Sequence, residues 1–364
     1  MDLAPAHEGL KTRILAEIAE LVESGAFVNG PEVAEFENAF AAYCGTSDCV
    51  GVASGLDALR LALLAAGIDA GDEVILPANT FAATVEAVIQ AGGTPVLVDV
   101  TTRDYNIDID AAADAISPRT RFILPVHLYG QLADMRQLVK IAETSKVALI
   151  EDACQAHGAR RDGNGAGAAG IAGAFSFYPS KNLGAFGDAG ALVTNNPAVA
   201  ARSRALREHG QVGKYSHEFS GYTARLDTLQ AIVLKHKLPL LDEWNEARRA
   251  VRAFYDTALR DVGDLALPPQ PRGSLPVWHL YVIRTERRKA LESFLAERNV
   301  STGRHYPQPI HLAPAFEHLD YLHGAFPITE ALANELISLP IFPGITEEQV
   351  TMVVEGIRDF FGDA

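Results

Sequence analysis

The sequence predicts an α/β protein: a large unit built on a mostly parallel sheet covered by helices on both faces, followed by a smaller α+β unit. Three observations carry that prediction. Short apolar strands alternate with helical stretches from about residue 48 to residue 153. Strands of that kind fit a parallel sheet buried between two helical layers. After about residue 230 the alternation gives way to long helical stretches.

The elements follow in order. Leu10, Ile14, Ile18, Leu21 and Val22 stand at helical spacing, and Gly25 is a stop. A second helix follows Pro31, which suits a first-turn position. "DCVGVAS" then reads as a strand and "LDALRLALLAAG" as a helix ending at Gly67. "DEVILPA" is a strand, "FAATVEAVIQAGG" a helix and "TPVLVDV" a strand. "RFILPVHL" is a strand after an intervening helix, "ADMRQLVKIAETSK" a helix and "VALIEDA" a strand. "SFYPSKNLGAFGDAGA", residues 176–191, reads as a tight, largely buried turn holding Lys181. Residues 228–263 form a helical stretch broken at Pro239. Beyond the turn-rich "LPPQPRGSLP" come a strand from Trp278 to Ile283 and several helices, one opened by a capping box from Thr346 to Gln349. The expected division is 1–240 for the large unit and 241–364 for the small one, with the junction anywhere within 235–275.

Composition narrows the function. The 364 residues are 48% hydrophobic, enough for a sizeable core. They carry 31 basic against 46 acidic side chains, a formal net charge of -15. That balance argues against nucleic-acid or anionic-membrane partners, which need basic surface. Cys44, Cys49 and Cys154 form neither a CxxC pair nor an even set, as in a reducing compartment. No run of eighteen apolar residues stands out, and "MDLAPAHEGLKTRILAEIAEL" lacks the apolar core of a secretory signal. The expected location is the cytoplasm.

Ligands of open parallel sheets bind beyond the carboxyl ends of the strands. Four features fall there. In "ASGLDAL", Ser54 can cap a helix and Gly55 lets backbone approach a phosphate, although such turns recur in many α/β proteins. In "VALIEDACQAHGA", Asp152 ends an apolar strand, either seeking a cationic partner or bonded to backbone amides. Lys181 is either a desolvated nucleophile able to form a Schiff base or a lysine whose ammonium reaches water. Phe81 is either an aromatic face for a flat ring or ordinary core. Together, a phosphate cradle, an aromatic face, a buried Asp and a reactive Lys are what pyridoxal phosphate requires.

The segments "GVASGLDALRLAL", "DEVILPANTF", "PVLVDV", "PVHLYGQ", "IEDACQAHGA", "SFYPSKNLGAFGDAGALVTN", "YTARLDTLQA" and "HYPQPIHL" occur in this order. The chain thereby resembles, over nearly its whole length, the DegT/DnrJ/EryC1/StrS sugar-nucleotide aminotransferases of the fold-type-I pyridoxal phosphate enzymes. The resemblance implies that Lys181 holds the cofactor in an internal aldimine and acts as general acid and base. It implies that Asp152 faces the pyridine nitrogen, Gln155 lies near the ring hydroxyl and Phe81 stacks on the ring. Gly55, Leu56 and Ser176 match phosphate ligands, and Tyr178 matches a tyrosine near the sugar. His305, Tyr306 and His311 match a segment that contacts the nucleotide-sugar. Thr223 stands where the family commonly has an Asn that reaches the neighbouring subunit's cofactor, and Ala189 where it often has Gly. A homodimer with shared sites, L-glutamate as donor and a nucleotide-linked keto-sugar as acceptor are also implied.

"SGLDAL", "HGQVGKYSHEFSGY" and "LDEWNEARR" look like members that aminate C-3. Amination at C-4 or of a keto-cyclitol stands as the alternative. The dehydrase branch has His at the aldimine position, so Lys181 speaks against it. A Rossmann oxidoreductase lacks support because "GLDAL" is not GxGxxG. A non-catalytic pyridoxal-binding regulator needs a DNA-binding segment that the sequence does not display.

Overall fold

The computed structural model describes residues 2–362. Its centre is a seven-stranded sheet made of β1 (Asp48–Val52), β2 (Glu73–Pro77), β3 (Thr94–Val98), β4 (Thr120–Ile123), β5 (Ala148–Asp152), β6 (Ala172–Ser176) and β7 (Gly190–Thr194). The spatial order is β1-β7-β6-β5-β4-β2-β3. The pairs from β6 through β5, β4 and β2 to β3 are parallel, and β7 runs antiparallel to both of its neighbours. The mostly parallel sheet of the sequence reading is therefore present.

Neighbouring strand residues point to opposite faces, so a strand apolar at every position needs cover on both. Val74 and Leu76 pack with Leu59, Leu61, Val85 and Val88 of α3 (Gly55–Ala65) and α4 (Ala82–Gln90). Ile75, Ile123 and Leu149 turn the other way, onto Met135, Leu138 and Ala142 of α5 (Met135–Ser145). Each such side chain contributes about 1.5–3 kcal/mol by leaving water.

The flanking helices match their signals closely. α1 (Lys11–Ser24) buries Ile14 and Leu21, with Leu10 buried just before it, and ends at Gly25 with φ 69°. Val22 lies off that face and is 63% exposed. α2 (Pro31–Cys44) starts with proline at its first position. α6 (Thr228–Lys237) and α7 (Leu241–Ala258) are separated by a short 3-10 turn carrying Pro239.

Two departures concern strands. β6 and β7 turn the expected buried turn into a strand–loop–strand unit; their sequences, AGAFS and GALVT, are rich in Gly and Ala and carry little intrinsic strand signal. Towards the C-terminus, β8 (Tyr281–Arg284) pairs antiparallel with β9 (Leu336–Leu339). β8 starts later than expected because Trp278 has φ 44°, outside the extended region. Its inner residues Tyr281 and Ile283 pack with Tyr255, Leu291, Leu295, Val353 and Ile357. Ile310, Phe316, Phe326 and Leu332 pack instead with the core of the large sheet. Thr346 and Gln349 make both bonds of the capping box. Among the described residues no helix is long and apolar enough to cross a membrane.

Candidate active site

A cavity of about 460 Å³ opens at the carboxyl ends of β2, β5 and β6. Gly55, Leu56, Phe81, Asp152, Gln155, Ser176, Tyr178, Lys181, His305 and Tyr306 all line it. Ten of the residues singled out in the sequence thus meet in one place, from segments up to 251 residues apart.

Lys181 sits on the loop between β6 and β7, where its amide N–H donates to the Tyr178 carbonyl at 2.8 Å. The loop is fixed by close approach. A Cβ on Gly184 would come within 2.3 Å of the Pro179 carbonyl oxygen, and one on Gly190 within 2.3 Å of that of Ser54. Neither glycine has a left-handed φ, so contact rather than turn geometry demands the missing side chain. Among the described residues, Lys181 Nζ has no hydrogen-bond or ion-pair partner. Burial pushes its pKa below the ordinary lysine value, against the opposing charges of Cys154 and Asp152.

Asp152 ends β5 and is 6% exposed. Its Oδ1 accepts from the Cys154 amide at 3.1 Å and its Oδ2 from Thr84 Oγ1 at 2.8 Å. Because Thr84 donates there, the 2.8 Å contact between Thr80 Oγ1 and Thr84 Oγ1 must be donated by Thr80. The carboxylate therefore has neutral donors but no cation within ion-pair distance among the described residues. Thr84 lies one helical turn beyond Thr80, and nothing in the sequence links either to Asp152.

Part of the cavity wall is aromatic. Phe81 is 55% exposed, and its ring lies 5.5 Å from that of Tyr306 at 36°. Gln155 accepts from the Tyr129 amide at 2.7 Å through Oε1, which leaves its Nε2 to donate to Tyr306 at 3.0 Å. At the floor, Ser54 caps α3 by accepting from the Asp57 amide at 3.1 Å. The amides of Gly55 and Leu56 keep no acceptor among the described residues. A Cβ on Gly55 would lie 2.6 Å from Ser176 Cβ and 2.8 Å from Cys154 Sγ, so the α3 N-terminus presents bare backbone.

Two singled-out residues lie elsewhere. His311 is 2% exposed and pairs through Nε2 with Glu330 Oε1 at 2.9 Å, against the Phe326 ring. Thr223 is exposed and shares a 3.0 Å hydrogen bond with His209 Nε2. Ala189 packs in an apolar cluster with Phe177 and Leu183. Conversely, His279, Thr84, Glu86 and Asp188 line the cavity without having been singled out.

Beside Asp152, Glu151 faces away from the cavity and anchors the frame. It is fully buried, with Oε1 accepting from the amides of Ala169 and Gly170 and Oε2 from Gly167. His127 Nε2 donates to the same Oε2 at 2.8 Å, because its Nδ1 accepts from the Ala133 amide. Burial alone would raise the Glu151 pKa, but these donors outweigh it and hold it below the usual glutamate range. A depressed carboxyl stabilises the fold above its unfolded pKa and loses that contribution as pH falls through the folded value. Glu151→Gln is therefore expected to cost about 3 kcal/mol at neutral pH, by turning an amide donor onto existing donors. Urea unfolding at pH 7 and pH 4 checks this, with the gap from wild type narrowing at the lower pH.

A bound pyridoxal phosphate fits these residues. The bare α3 N-terminus suits a phosphate dianion, the uncompensated Asp152 carboxylate suits a protonated ring nitrogen, and the partnerless Lys181 amine suits a carbonyl carbon.

Comparison with known proteins agrees. The model of the DegT/DnrJ/EryC1/StrS aminotransferase family matches residues 9–358. A dTDP-3-amino-3,4,6-trideoxy-alpha-D-glucose transaminase of Streptomyces venezuelae is 46% identical over 99% of this chain and 95% of its own. A UDP-N-acetyl-3-dehydro-alpha-D-glucosamine 3-aminotransferase of Acidithiobacillus ferrooxidans is 40% identical over 98% of this chain and 96% of its own. The crystal structure of S. venezuelae DesV in complex with a ketimine intermediate superposes with a TM-score of 0.96 at 46% identity, covering 99% of this chain and 97% of that one. With its sheet, its cavity and its sequence in agreement, the chain belongs to the DegT/DnrJ/EryC1/StrS family of pyridoxal phosphate-dependent aminotransferases.

Proposed function

We propose that this enzyme moves an amino group from L-glutamate to C-3 of a keto-sugar carried by a nucleoside diphosphate, in amino-sugar biosynthesis. One observation carries the reading. A lysine amine without a partner and a carboxylate without a cation share one cavity at the end of the sheet. The position of amination is supported by the two relatives above, whose names both place the nitrogen at C-3 while differing in the nucleotide.

Bound pyridoxal phosphate supplies an electron sink for a carbanion next to nitrogen. The chain's own groups do the rest. Lys181 would hold the cofactor and, as the amine of the site, would move the proton between carbons as general base and acid. Asp152 would hold a proton on the ring nitrogen, its Oδ1 hydrogen-bonded by the Cys154 amide and its Oδ2 by Thr84. Gln155, hydrogen-bonded to Tyr306, would lie at one edge of the ring, Phe81 would cover a face, and the Gly55 and Leu56 amides with Ser176 would receive the phosphate. Tyr178, 53% exposed at the mouth, meets the sugar together with His305. The enzyme is taken to work in the cytoplasm as a homodimer, with the exposed Thr223 facing a second copy.

The test is incubation of the purified protein with L-glutamate and either a 3-keto or a 4-keto sugar nucleotide, with the product read by NMR. Nitrogen on C-3 is expected. Nitrogen on C-4, or turnover of a keto-cyclitol alone, overturns the assignment.

A further inference from the structure

Lys237 ends α6 in the interior of the protein. It is 3% exposed, and among the described residues no carboxylate lies within ion-pair distance of it. A buried charge without a counter-charge is costly, and burial pushes its pKa down to about 8. The ammonium's neighbours are neutral instead. Nζ donates to the Gly184 carbonyl and lies 3.2 Å from His7 Nε2, with the ring centres of Phe186 and Trp244 each 5.7 Å away. An ammonium can only donate, so the His7 nitrogen accepts. Burial and the charge of Lys237 push the His7 pKa down, which keeps that nitrogen bare. A methionine is about as long and carries no charge to bury, so packing alone does not call for a lysine here.

Gly184 follows Lys181 by three residues in the loop between β6 and β7. The same stretch is held a second time from the same helix: the Phe186 amide donates to Gln230 Oε1 at 2.8 Å. Gln230 and Lys237 are seven residues apart, two helical turns, and so share one face of α6. Between their two contacts the Ala185 amide donates to the Phe177 carbonyl at 2.7 Å. Beside the lysine itself, Asn182 Nδ2 donates to Asn245 Oδ1 at 2.8 Å and to the Val277 carbonyl at 2.9 Å. An amine on a flexible four-carbon stem, without a partner of its own, is aimed by the backbone beneath it. We propose that Lys237 and Gln230 are positioning residues for Lys181: from one face of α6 they hold the Gly184 carbonyl and the Phe186 amide, and so set where the amine stands in the cavity. This rests on the reading of Lys181 as the reactive amine.

A lysine serving stability alone could be lost with a lower melting temperature and normal Lys181 chemistry. Lys237→Met removes the donor and keeps the length. The full chain without cofactor is mixed with pyridoxal phosphate, and attachment to Lys181 is timed by borohydride quenching and peptide mass mapping. The variant is expected to slow attachment by about ten- to a hundredfold, the cost of displacing a reacting group by about an ångström. Its affinity for inorganic phosphate, which the α3 N-terminus would receive, is expected to stay at the wild-type value. Hydrogen exchange in the peptide spanning residues 180–187 is expected to speed up, with β5 unchanged. An unchanged attachment rate, unchanged exchange in that peptide, or an attachment rate that falls only as far as phosphate affinity falls, overturns the proposal. Should Lys237→Met fail to fold, Gln230→Ala decides, since Gln230 is only partly buried. Slowed attachment at unchanged phosphate affinity then supports the proposal, and wild-type attachment refutes it. Failure of the Lys181 assignment would show separately, as borohydride label on another residue of the cofactor-loaded wild type.

Discussion

Lys181→Ala is expected to abolish transamination while leaving the fold intact. Two losses coincide at this residue. On the proposed assignment the variant loses the nucleophile that would carry the cofactor and the acid–base group that would move the proton, a role worth roughly 10²–10⁴-fold by itself. The fold tolerates the change because the amine has no structural partner to orphan. Its loop is held by the Tyr178–Lys181 backbone bond and by the close approaches at Gly184 and Gly190, none of which uses the side chain. Removing a desolvated amine also relieves an electrostatic cost, so thermal stability is expected to hold or rise slightly. Single-turnover assays with L-glutamate and a keto-sugar nucleotide, with circular dichroism for folding, give the readout. Borohydride treatment of cofactor-loaded wild type should label Lys181 and leave the alanine variant unlabelled. Full turnover in the variant would refute the assignment.

What the sequence made legible follows from how far each signal reaches. The alternation of strands and helices is local, and β1 through β5 appeared within a few residues of their expected places. The break at Pro239, the stop at Gly25 and the Thr346 capping box are equally local. β6, β7 and β9 escaped because short strands of small or mixed residues become strands only through their neighbours. The site divides in the same way. Lys181 and Asp152 stand out as charges in apolar surroundings. Thr84 acquires a role only through a partner 68 residues away. His311 sits in a motif that reads as substrate-facing, yet its ring is committed to Glu330 in the core. Thr223 faces solvent in a single chain, where any role towards a second copy is invisible to local pattern.

Asp152→Asn probes the other half of the site, and its effect separates into two measurable parts. The first is structural. Both carboxylate oxygens accept, one from the Cys154 amide and one from Thr84 Oγ1. An asparagine offers one acceptor and one donor, so one of these contacts becomes donor against donor. If the amide nitrogen faces Thr84, that hydroxyl can accept from it, but one hydroxyl proton of the Thr80–Thr84 pair is then left without an acceptor. Either orientation leaves a buried polar group poorly satisfied, at about 1–3 kcal/mol. The second part is chemical. Without the carboxylate, nothing among the cavity residues keeps a proton on the ring nitrogen, and the electron sink weakens in the transition state far more than in the ground state. Loss of a preorganised electrostatic partner of this kind lowers kcat by roughly 10²–10³-fold. KM for the sugar nucleotide should change little, because the phosphate floor and aromatic wall do not depend on Asp152. Thr84→Val separates the two effects: it removes a neutral donor but keeps the charge, and its expected loss in kcat is under about tenfold. Equal losses in the two variants would mean that hydrogen-bond order, not charge at the ring nitrogen, is what Asp152 provides.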